Sequence, residues 1–60
     1  MRTYYLVTIY ELGKARYVRV NSLDEAIQIC DRADFARIQK KDGWHSKYVY
    51  EKYNGVVTTY

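Results

Sequence analysis

The chain has 60 residues and a formal net charge of +3 at pH 7, which allows one hydrophobic core and one domain over residues 1–60. A hydrophobic content of 48% excludes a disordered polar chain, and a single cysteine excludes an internal disulfide or a cysteine-based zinc site. Eight of the hydrophobic residues are tyrosines, so tyrosine must either complete the core or form an aromatic surface.

In chain order, residues 2–11 hold Tyr4, Tyr5, Leu6, Val7, Ile9 and Tyr10 without proline, the composition of a strand. Glu11, Leu12, Gly13 and Lys14 make a turn, and Arg16 to Val20 alternate at period two, which predicts a hairpin. Ser22, Leu23, Asp24 and Glu25 match a capping box. The helix it starts buries a stripe of Leu23, Ala26, Ile27, Cys30 and Ala33 over about three turns. Phe35 to Lys41 and Trp44 to Tyr53 read as a second hairpin around Asp42 and Gly43. Asn54 and Gly55 repeat the turn signal ahead of Val56 to Tyr60, a short fifth strand or a loose end. The expected class is α+β, ββαββ, with one helix packed on one face of a four-stranded sheet and an optional fifth strand.

One helix covers one side of a sheet, so function is expected on the other. With Val7, Ile9, Val18, Val20, Ala36, Ile38 and Val49 turned to the helix, the pleat sends Tyr4, Tyr10, Tyr17, Arg19, Arg37, Tyr48, Tyr50 and Lys52 outward. Leu6, Thr8 and Phe35 join that side. The second hairpin admits two registers. A two-residue turn at Asp42 and Gly43 sets Arg37 beside Tyr48, whereas a three-residue loop including Trp44 sets Ile38 beside Tyr48 and moves Tyr48 and Tyr50 to the core. The first is preferred because Ala36, Ile38 and Val49 suit the close space beneath a short helix. Charge divides as well: residues 22–34 carry four acids and one cation, a balance of −3, against +6 elsewhere.

The second hairpin's tip gathers Lys40, Lys41, Trp44, His45 and Lys47, a set that stacks on bases and meets phosphates. Its ordinary reading is a solubilised edge with Trp44 packed down on the sheet. The outward tyrosines and arginines suit a protein interface or a homodimer, and equally single-stranded nucleic acid; their ordinary reading is a solvated sheet face. No ribonucleoprotein motif is present. Cys30 lies on the helix stripe and His45 by a turn, so a cysteine-histidine nucleophile is not expected, and His45 has no second ligand at metal spacing. The acids are explained by capping and a solvated helix side, and the three glycines sit in separate turns rather than a phosphate loop.

The hairpin, the Ser22-Leu23-Asp24-Glu25-Ala26 helix start and the Asp42-Gly43 hairpin together resemble small bacterial and phage-type ββαββ proteins. That resemblance implies an accessory protein that binds a host or phage macromolecule. The expected function is a non-enzymatic protein-interaction module, possible as a homodimer or an inhibitor. Its surface comprises Tyr17, Arg19, Arg37, Lys40, Lys41, Trp44, Lys47, Tyr48 and Tyr50. The partner is another protein or a second copy, with nucleic acid as the alternative. No cofactor, metal, small-molecule substrate or membrane is expected, nor a signal peptide, and the expected location is the cytosol.

Overall fold

The structure, a computed structural model, describes residues 3–60. Its elements are β1 (Thr3–Glu11), β2 (Lys14–Val20), α1 (Leu23–Cys30), β3 (Ala36–Asp42), β4 (His45–Tyr53) and β5 (Val56–Thr59). The fold is α+β: one helix and a five-stranded antiparallel sheet in the order β2-β1-β3-β4-β5. β2 and β3 run parallel on either side of β1, so α1 completes a split βαβ crossover over one face. The expected strand start at Arg2 lies outside the described residues.

Turn chemistry sets the hairpins. Leu12 and Gly13 have φ of 51° and 77°, and Asn54 and Gly55 have φ of 51° and 81°. These are the paired positive angles of a type I′ turn, whose twist matches that of the strands it joins. The middle hairpin closes at Asp42 opposite His45, with Gly43 and Trp44 between them. Neither register considered for it has that turn; Gly43 takes a φ of 62° at the first central position, where glycine is strain-free.

The capping box forms its serine half: the Glu25 amide donates to Ser22 Oγ at 3.2 Å. The helix stops at Cys30, a turn short of expectation, although Ala33 remains buried beyond it. Leu23, expected on the buried stripe, is partly exposed, while Ala26 and Cys30 are sealed. Val7, Ile9, Ala36 and Ile38 form the sheet's half of the core, with Val18, Val20, Ile27 and Ile29 packed around it.

α1 packs on β1, β2 and β3. Every residue of β5 is exposed, so that strand lies beyond the cover of the helix. Among the described residues, no helix is long and apolar enough to cross a membrane.

β4 departs most from expectation. Gln39 pairs with Tyr48 and Ile38 with Tyr50, which leaves Val49 as an extra residue in a β-bulge. The side-chain alternation therefore shifts by one step partway along the strand. Tyr48 stays on the open face, but Tyr50 turns beneath the helix and is only 5% exposed. This corrects the placement of Tyr50 and Lys52 on the open face, and Val49 is partly buried against the core rather than central to it. The bulge also sorts charge. A straight strand with Val49 inward would turn Glu51 inward as well, towards the acidic helix. Instead Glu51 meets Arg37 on the open face, Nε to Oε2 at 3.1 Å. Lys52 reaches the other way, donating from Nζ to the Cys30 carbonyl at 3.2 Å and to that of Asp31 at 3.5 Å. It thereby brings a cation to the negative end of α1, whose last turn has none of its own, and adds to the Ala33 amide that already donates to the Cys30 carbonyl at 3.0 Å.

Candidate interaction surface

The open face follows from the pairing. Leu6 lies opposite Arg19 and Gln39, Thr8 opposite Tyr17 and Arg37, Tyr4 opposite Lys41, and Glu51 opposite Thr58. Six tyrosines share this side: Tyr4, Tyr10, Tyr17, Tyr48, Tyr53 and Tyr60. Thr8 is buried at its centre with Leu6 half-buried beside it, so the surrounding rings and stems make a continuous surface over β1.

Cations hold two of the rings. The Arg19 guanidinium carbon lies 4.0 Å from the Tyr4 ring centre, and that of Arg37 lies 5.4 Å from the Tyr48 ring centre. Arg37 also pairs with Glu51, whose other oxygen accepts from the Tyr60 hydroxyl at 3.0 Å. Tyr48 foremost, then Tyr10 and Glu51, hold the Arg37 guanidinium more firmly protonated than usual. The hydrogen bond to Glu51 raises the Tyr60 phenol above its ordinary pKa, keeping it a donor. At one end, Phe35 and Tyr53 meet edge to face with centroids 5.3 Å apart. The Gly55 amide, in the turn after Tyr53, donates to the Asp34 carbonyl at 3.1 Å and fixes that corner.

Of the residues expected to form a site, Tyr17, Arg19, Arg37 and Tyr48 share this face, and Lys41 lies at its margin opposite Tyr4. Lys40 and Lys47 do not: directly opposite one another, they fall on the helix side of the second hairpin. Trp44 projects from the tip, 97% exposed, so it does not pack down on the sheet. Tyr50 belongs to the core. Sequence reasoning missed Glu51, Tyr53 and Tyr60, because the bulge decides the face of the first two and the fifth strand brings in the third.

Two further features bear on chemistry. An open groove of about 540 Å³ runs between α1 and β2, floored by Ile9, Val18, Ile29 and Ala33 and rimmed by Arg16 and Glu25. Its rim carries both signs of charge and selects no ligand class. Cys30 is fully buried, and desolvation pushes its thiol pKa up, which suppresses the thiolate. His45 sits at the opposite end of β4 from Lys52, about 23 Å of strand away, so it cannot serve Cys30 as a base. Among the described residues, no three of the histidine, cysteine and acidic side chains gather where they could hold a metal ion.

No protein-family model, curated protein or solved structure matches this chain. The likeness to phage-type ββαββ proteins therefore lends no residue a role, and function rests on the surface itself.

Proposed function

We propose that the protein is a non-catalytic interaction module that docks another protein on its open sheet face, with Tyr10, Tyr17, Tyr48 and Arg19 as the contact residues. The observation that carries this is how the cations are engaged. Arg19 and Arg37 already cover one face of the Tyr4 and Tyr48 rings, and Arg37 is neutralised by Glu51. Rings and guanidinium groups that hold one another lose little conformational freedom on docking, which suits a protein interface. The same engagement removes ring faces that bases would stack on and charge that phosphates would meet.

Immobilised protein tests this reading against a Tyr17→Ser, Tyr48→Ser double variant, using nuclease-treated lysate at moderate salt. A protein retained by the parent and lost by the folded variant is the expected result. Equal retention by both would remove the open face as the docking surface.

A nucleic-acid reading has one observation in its favour. Lys40 and Lys47 stand directly opposite each other in the ladder, an arrangement that costs stability unless an anion relieves it. Trp44 is exposed at the same tip. On that reading, titration with single-stranded or duplex DNA or RNA gives an affinity that falls steeply with salt and is lost in Lys40→Gln, Lys47→Gln. Absence of binding at low salt would end it.

A further inference from the structure

The two edges of the sheet are finished differently. β2, at one edge, carries Lys14, Arg16 and Arg19, cations of the kind that discourage strand addition. β5, at the other, reads Val-Val-Thr-Thr, with no charge, no proline and no residue shielded from solvent. Helix α1 does not reach it.

Backbone alternation fixes which groups β5 leaves open. The Tyr60 amide donates to the Val49 carbonyl at 3.2 Å, in the register that also pairs Thr58 with Glu51 and Val56 with Tyr53. Val56, Thr58 and Tyr60 thus direct their backbone groups at β4, and Val57 and Thr59 direct theirs away from the sheet. We infer that β5 is a homodimerisation edge, on which a second copy pairs its own β5 antiparallel about a two-fold axis through Thr58.

The occupant is argued from self-complementarity. With the axis at Thr58, Val57 of each copy faces Thr59 of the other, and the two pairs exchange four hydrogen bonds among all the outward groups of the strand. The same register sets Val56 opposite Tyr60 of the second copy on the open face. These two are 68% and 71% exposed in the single chain, and an aromatic on a β-branched residue is a favourable cross-strand pair. Thr58 meets its own symmetry mate, and no like charges face one another. A two-fold contact of this kind closes on itself, leaving the cation-bearing β2 edges outermost and joining two open faces into one. Two four-residue strands make a small interface, so association is weak and depends on concentration.

This inference goes beyond the reading above and does not depend on it, since it concerns mass rather than a foreign partner. Sedimentation equilibrium from micromolar to millimolar concentration is expected to show wild-type mass rising towards twice the monomer. Thr58→Lys, which sets two ammonium groups on the axis, is expected to stay monomeric with an unchanged circular dichroism spectrum. Because non-hydrogen-bonded pairs bring Cβ atoms close enough for a disulfide, Thr58→Cys is expected to cross-link on mild oxidation and Val56→Cys is not. A monomer at millimolar concentration, undiminished association of Thr58→Lys, or equal cross-linking of the two cysteine variants would each overturn the inference.

Discussion

The covered and open faces of this sheet are built from overlapping residue types, and tyrosine stands on both. Beneath the helix, Tyr50 lies among Ile38, Val7 and Cys30 and gains its place by burial. On the open face, Tyr4 and Tyr48 are held by guanidinium groups, and Tyr60 by a carboxylate. The lesson is that tyrosine does not choose its side; its neighbours do. Aliphatic neighbours draw its ring in, and charged neighbours keep its hydroxyl and ring edge at the surface. A 60-residue chain thereby keeps a small core and a broad aromatic platform without needing apolar residues for both.

The sharpest way to break this comparison is to truncate two tyrosines that are nearly adjacent on one strand. Tyr50→Ala is expected to cost about 3–4 kcal/mol, enough to unfold much of so small a domain. Tyr48→Ala is expected to cost less than about 1 kcal/mol. Urea titration followed by circular dichroism measures both, and similar losses would mean that the faces are not distinct.

Alkaline titration probes the buried groups of the covered face, alongside the raised Tyr60 phenol on the open face. Desolvation raises the pKa of the Tyr50 phenol and of the Cys30 thiol. Folding therefore favours their neutral forms, and that stabilisation is full below the ordinary values, about 8.5 for the thiol and about 10 for the phenol. It is lost as pH rises towards the raised folded values. Thermal midpoints should hold from about pH 6 to about pH 8 and fall from about pH 9; Cys30→Ala should delay the onset of the fall.

Deleting Val49 sharpens the account of the bulge. Without it, Tyr48 still meets Gln39 and Tyr50 still meets Ile38, so both faces keep their residues. The expected loss is about 1–2 kcal/mol, for a partly buried valine, and nuclear Overhauser contacts between Tyr50 and Ile38 should persist. A smaller effect is expected for Lys52→Met, which removes the cation from the end of α1 at a cost of about 0.5–1 kcal/mol. Lys47→Met, on the same strand but far from the helix, should be neutral or slightly stabilising by relieving Lys40.

Most of the architecture was legible in the chain. The turn dipeptides Leu12-Gly13 and Asn54-Gly55 ended strands where the backbone needed positive φ. Ser22 and Glu25 marked the helix start, the composition of β1 marked a strand, and the alternation in β2 named Val18 and Val20 as the residues turned to the helix. Of the candidate surface, Tyr17, Arg19 and Arg37 were legible because their strands keep one phase throughout, whereas on β4 Tyr48 was legible and the residues beyond the bulge were not. Both straight registers had a fault there, either Tyr50 outward or Tyr48 inward, and the sequence offered no third.

What the sequence determined by itself is local: element order, caps, turns and the surplus of tyrosine over what a short helix can cover. Each depends on backbone preferences within a few residues, so each is written where it acts. Only the tertiary structure decided where β4 changes phase, that Glu51 meets Arg37 while Lys52 caps the helix, and that β5 leaves an uncharged edge open. Those outcomes depend on which side of the sheet the acidic helix occupies and how far it reaches. That is a long-range contest between burial and charge in which no single strand carries the answer.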